Sequence, residues 1–507
     1  MPALRTAPAR LALAAFLAST ALSAQAEITP DALWQRWQDS IASEGRSVTA
    51  ERSQPDGRTL RLDGVTVTQP LHEGGALTAR LDTIALQDGG NGTVTVVIAP
   101  GQELHIATQG TDSPSDALSA RFDLGGDGLT LSVAGDIAAP DYAFASDSFQ
   151  MRLTELVQDT TPLEAAGDLT LDRLAGTVAG TDPAAGAPLS TRFTAGRAAM
   201  TLDLTDPATG VTSSSATAQQ DLDGAASFEP GTRSGTWSVA GSFTAGQAET
   251  RSLQTSPEIG RVETTSRQDS TAARLAVDAT RASYDVTAKG LAFTFASDQF
   301  PVPPINVTLP EMVAALTIPM AAAPEAQIAR LALKLSQLSL DDALWNMLDP
   351  GRALPRTPAD LDLDIEADLI VRDTVQTPAP PAPGLSAQAQ PDMPLPDLLP
   401  TGLRINALTL GFAGAEVAAT GDFTVNMMGD PPAPNLTQPV GQLNVTATGI
   451  VTLLQQLSAA GLLASDQAMG VQLMLGMFTT PGADDSLTST ITAEPGGGLV
   501  INGNRVR

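Results

Sequence analysis

Cysteine is absent from the 507 residues, histidine occurs only at His72 and His105, lysine only at Lys289 and Lys334, and aromatics make up 4%. Without cysteine there is no disulfide framework, thiolate zinc site or cysteine nucleophile, and two histidines leave little scope for imidazole chemistry. Basic residues are outnumbered, 28 against 56 acidic ones, giving a formal charge of -28 that repels phosphate backbones and excludes nucleic acid as a partner. Sequence motifs are missing too. There is no G-x-x-x-x-G-K-[ST], no G-x-S-x-G and no H-E-x-x-H, and neither lysine has a serine three residues before it. No catalytic residue and no cofactor is nominated.

What is present begins with an export signal. Residues 1–26 carry Arg5 and Arg10, an apolar run over 11–24, and small residues at Ala24 and Ala26 before Glu27. This is the pattern of a cleavable secretory signal peptide, and the run is short of the roughly 20 residues a membrane helix needs. An uncleaved anchor is the competing reading. No later stretch is apolar enough to span, so no integral span is expected after cleavage. Secretion without cysteine suits the periplasm of a Gram-negative bacterium.

Beyond the signal, hydrophobic period two dominates. Leu60 and Leu62, then Val65 and Val67 after Gly64, open a series that continues through 77–81, 94–98, 122–124 and 129–133. The expected fold is mainly β, a β-rich α+β chain whose long curved antiparallel meander carries a few short amphipathic helices. The first helix should be capped by Thr29, start at Pro30 and bury Leu33, Trp34, Trp37 and Ile41. A second, near 340–349, is expected to be capped by Ser339, and its Asp342-Ala343-Leu344-Trp345 repeats Asp31-Ala32-Leu33-Trp34. Two more are expected, 450–460 and 465–478, split by Gly461. The blocks are 27–270; 271–376; a proline-rich loop or linker, 377–400; and 401–507. The stretch 205–281, rich in Ser, Thr, Ala and Gly, should be thin-cored. Val286 to Gly290, Val417 to Gly421 and Val445 to Gly449 share V-x-A-x-G, a strand ending where glycine permits a bend.

The stretch 441–503, with its Leu-rich helix, Leu475-Gly476-Met477-Phe478 and Asp484-Asp485-Ser486-Leu487-Thr488, resembles domain-of-unknown-function family 2125. The segment Ala343-Leu344-Trp345-Asn346-Met347-Leu348-Asp349-Pro350 is similar to the same family. That resemblance implies no activity. More distantly, the hairpins ending in V-x-A-x-G look like AsmA-like and DUF945-type envelope proteins, which implies a long β-sheet associated with lipid handling.

Two sets of residues are candidates for function. Asp360, Asp362, Asp364, Glu366 and Asp368 alternate with apolar residues, so period two puts five carboxylates on one strand face, where they could share a hard cation such as calcium. The plainer alternative is a solvated outer face neutralised by arginines on neighbouring strands. Val471, Met474, Leu475 and Phe478 recur at i, i+3, i+4 and i+7 and form either an apolar groove or an ordinary core stripe. The functional expectation is a non-catalytic periplasmic envelope protein that binds or shields lipid, or an envelope protein partner, on a long β-sheet groove, since a meander too long for one compact sandwich leaves an apolar concave face. A secreted structural or adhesion-like protein with an acidic β surface is the alternative, and an envelope polymer hydrolase the third.

Overall fold

Pairing partners follow chain order from one end of the protein to the other. The computed structural model describes residues 28–506 apart from 44, 72–74, 110–116, 159–160, 181–187, 208, 232–236, 300–302, 374–396, 426, 429–432 and 435–438. The signal segment, His72 and most of the proline-rich stretch therefore lie outside the described residues. Twenty-eight strands join in one antiparallel sheet, bearing out the mainly-β expectation, and the ladder crosses the 270/271 block boundary without a break. The proline-rich stretch ends earlier than its composition suggests. Its last residues start the strand Leu398–Phe412, where Pro400 opposes Leu369. Pro400 sits at a register shift, the kind of irregularity at which a sheet tolerates a residue with no N–H.

The strands are long. Ala139–Gln158 spans 20 residues and Thr212–Pro230 spans 19, against the usual five or six. Four of the meander's strands are broken in the middle, 93–109 around Pro100-Gly101, 118–136 around Asp127, 237–256 around Gly246 and 260–277 around Asp269, and both halves of each share a neighbour. At the sheet's edges lie the short strands Ser47–Thr49 and Arg52–Asp56 at one end and Asn504–Arg505 at the other. Among the described residues no ladder joins those two ends.

A line of left-handed residues crosses the sheet: Gly64, Arg173, Asp221, Gly290 and Gln337 all have φ between 48° and 63° in mid-strand. At Gly64, Arg173, Gly290 and Gln337 the hydrophobic alternation slips by one. Leu60, Leu62 and Val65 are all buried, although residues 62 and 65 would face opposite sides of a regular strand. Leu169 and Leu171 are likewise followed by Leu174, and the exposed positions change from Asp168 to Arg173 and Ala175. The left-handed residue thus keeps apolar side chains on one face along the whole of a very long strand. Of the three V-x-A-x-G elements, Gly290 lies on this line and Gly449 begins a helix in the left-handed region, whereas Gly421 stays inside the strand Ala415–Thr424.

Among the described residues there are four helices. Helix α1 (Pro30–Ser43) is capped by Thr29, whose Oγ1 accepts from the Ala32 amide at 3.3 Å. It seats Leu33 and Trp34 in the main core, with Leu60, Leu62, Leu86, Val94 and Val133, while Trp37 donates to the Tyr142 hydroxyl at 3.1 Å. Helix α2 (Asp342–Leu348) is capped by Asp341, not Ser339, because the Asp341 carboxylate accepts from the Leu344 amide at 3.0 Å while Ser339 is still in a strand. Its Trp345 is buried with Leu354 and Ala413, so the repeated Asp-Ala-Leu-Trp string plants a tryptophan in each of two cores. Helices α3 (Ile450–Ala459) and α4 (Ser465–Phe478) follow, and Leu453 and Leu457 of α3 pack against the second core. Between the two cores, the described residues of the strands over 212–277 include only two buried ones, Gly224 and Ala245.

Candidate functional site

Directly opposed residues of neighbouring strands share a face, so the register defines what each face is made of. One row begins at Leu60 in the main core and runs through Leu86, Val96, Leu131 and Phe144. It continues through Gly176, Phe193, Gly224, Phe243 and Ala273. From there it passes through Val286, Ala314, Leu333, Leu363, Leu408 and Ala419 to Val445. No polar side chain interrupts it. Where phenylalanine alternates with glycine, the rings lie over their glycine neighbours: a Cβ at Gly176 would stand 2.2 Å from the Phe144 ring, and one at Gly224 2.1 Å from the Phe193 ring.

This face is covered by α1 at one end and meets the second core at the other, where the Trp345 and Phe412 rings stack at 5.9 Å. Between them, among the described residues, it is bare. Leu331 remains 46% exposed and Leu410 52%, and Phe193, Leu275, Phe293 and Leu316 are exposed on the same side. Leu275, Tyr284, Leu316, Leu331, Ile365 and Ile405 form a second row beside the first. Beyond Gly290, an open groove of about 350 Å³ is lined by Leu291, Phe293, Val307 and Leu309, with Thr250 and Ser266 at one side. Contiguous exposed apolar surface is uncommon on soluble monomers beyond a few hundred Å².

The opposite face is charged and internally paired. Asp360, Asp362, Asp364, Glu366 and Asp368 do share one side of the strand Ala359–Val371, and arginines meet two of them. Arg330 grips Asp364 with two bonds of 2.9 and 2.8 Å, and Arg404 bridges Glu366 at 3.0 Å and Asp422 at 3.2 Å. Lys334 stands opposite Asp362, and Asp360 accepts the Gln337 amide at 2.8 Å. The Arg330 hydrogen bonds hold the Asp364 carboxyl below the usual carboxylate range. Among the described residues no three or more acidic or histidine side chains are grouped to hold a metal ion.

The helical quartet is divided. Leu475 and Phe478 of α4 turn inward and are half-buried, while Val471 and Met474 are exposed, because the side of the helix that meets the protein is the one carrying Ala468. His105 bonds the Ser119 hydroxyl at 2.8 Å within its strand pair. The bare stretch around Phe193, Leu275, Leu316 and Leu331 was not singled out by sequence reasoning. Its signal was the one-residue slip in alternation, which locates the face of each strand but not its neighbours. Scans against protein-family models, curated proteins and solved structures return no match to this chain. The functional reading accordingly rests on the geometry. No helix among the described residues is long and apolar enough to cross a membrane.

Proposed function

We propose that the protein is a non-catalytic envelope protein of the periplasm that binds or shields lipid along the bare apolar face of its sheet. The observation that carries this reading is the unbroken apolar row, covered at one end and uncovered in the middle. With strands about 4.8 Å apart, the row from Leu60 to Val445 is roughly 75 Å long, enough for several acyl chains in succession. The chemistry of the face favours hydrocarbon over peptide. The backbone of each strand in the row is already paired on both sides, and the side chains along it offer no donor or acceptor, the Tyr284 hydroxyl in the adjacent row being an exception on this face. A peptide laid there would leave its own amides unsatisfied, which is costly, whereas an acyl chain has none to satisfy.

The test is native mass spectrometry with organic extraction on protein purified from a periplasm without detergent, compared with Leu331→Arg and Leu333→Arg. Bound lipid in the parent chain, reduced by both substitutions but not by Thr317→Arg on the opposite face, is the expected result. A lipid-free parent that also takes up no labelled phospholipid from vesicles sinks the proposal and leaves the secreted structural or interaction protein.

A further inference from the structure

Helix α4 is apolar on two sides. Ala468, Leu475 and Phe478 face the protein, and the Phe478 carbonyl accepts from the Ser489 hydroxyl at 2.7 Å and the Asn502 amide group at 3.0 Å, which fastens the helix at its C-terminal end. On the opposite arc Met469, Leu473 and Met477 are 70%, 68% and 66% exposed, with Met474 beside them. Gly470 and Gly476 have open space around them. A helix that only covered a sheet would present polar residues outward, and here the outward arc has none except Asp466 in the first turn.

We infer that this arc docks the protein on a bilayer surface, with the Met469, Leu473 and Met477 side chains inserted among the acyl chains. Charge and area both argue for this occupant. Between Arg404 and Arg505 the sequence has no lysine, arginine or histidine, so a partner held by acidic groups finds no complement here. A second copy is disfavoured by size. Fourteen residues make a helix about 21 Å long, and one face of it, at roughly 10 Å wide, offers about 200 Å² against the ~800 Å² per partner of a standard interface. Like charge adds to this, since each chain carries -28. A bilayer needs no matching area, and helices lying in its surface bury an apolar face to about 5–10 Å. Unbranched methionines suit an irregular hydrocarbon boundary.

The absence of basic residues gives the inference an unusual electrostatic signature. Most surface-binding helices use Lys and Arg to approach anionic lipid, and salt weakens them. This one should bind phosphatidylcholine vesicles at least as well as vesicles containing phosphatidylglycerol, and added salt should strengthen the latter by screening the repulsion.

The experiment uses the full chain with Leu473→Trp as reporter and brominated phosphatidylcholine vesicles as probe, alongside flotation of the parent and of Met469→Glu/Leu473→Glu/Met477→Glu. Expected are a blue-shifted emission quenched by shallow bromines, and a fall of about tenfold or more in the floated fraction for the triple variant, whose circular dichroism melt matches the parent. An unquenched reporter, or a triple variant that floats as well as the parent, overturns the inference. So does concentration-dependent dimerisation abolished by the triple variant without any vesicle binding. Because these readouts concern α4 and not the sheet, docking can fail while lipid extraction succeeds, and the reverse.

Discussion

Asp349 has almost no solvent exposure, and its carboxylate accepts from the Leu354 amide at 2.8 Å and the Ala353 amide at 3.0 Å, closing the turn that follows α2. Those two backbone bonds lower its pKa, Leu354's being the larger influence, and Asp364 is lowered in the same sense by Arg330. A folded-state pKa below the unfolded value of about 3.9 stabilises the fold fully above that value and is lost as pH falls through the lowered one. Melting temperature should therefore hold steady from neutral to about pH 5 and drop below about pH 4. Asp349→Asn should melt lower than the parent at pH 7, with the gap closing as the pH falls through the lowered pKa of Asp349. A gap that stays constant across that range in thermal melts would refute the assignment. Glycine at 176 is required for a different reason. A Cβ there would meet the Arg192 carbonyl at 2.5 Å as well as the Phe144 ring, and backbone cannot yield as a side chain can.

At the scale of elements, apolar residues of the same chemistry have two kinds of surroundings. Trp34 in α1 is buried in the main core, so Trp34→Ala should cost about 3–5 kcal/mol in urea denaturation. Leu331 in the bare stretch keeps nearly half its surface in water, and Leu331→Ala should cost less than about 1 kcal/mol in lipid-free protein. A large cost at Leu331 would mean that the face is covered by protein after all. The helices and strands were legible in the sequence because period and caps are local: Thr29, Pro30 and the alternation after Gly64 place their elements directly. The cap of α2 was misplaced because Asp341, one residue before Asp342, sits among three competing capping side chains, and only the strand end at Leu340 decides between them. An apolar face was expected from the length of the meander, but the residues that form it were not legible. It depends on which residues stand opposite one another across the sheet, and Phe193 facing Gly224 is a contact that neither sequence neighbourhood announces.

Across the whole molecule, each strand bonds its neighbours in chain order, and the two buried cores lie towards opposite ends. Such a nearest-neighbour architecture lets stability vary along the sheet, as in repeat proteins, because a weak strand is supported only by those beside it. The strands over 212–277 bury little, and their side chains are mostly Ser, Thr, Ala and Gly. Hydrogen exchange in lipid-free protein should accordingly be fastest over 212–277 and slowest over 60–96, where Leu62, Leu86 and Val94 are fully buried. If hydrocarbon is the natural cover of the apolar face, loading with phospholipid should slow exchange in the middle strands and leave 60–96 unchanged, since that region is already covered by α1. Uniform protection in the lipid-free state would show that the middle strands need no cover. The same experiment separates the two surfaces, because a ligand lying on the face protects 212–277 whereas vesicle docking by α4 protects only 465–478.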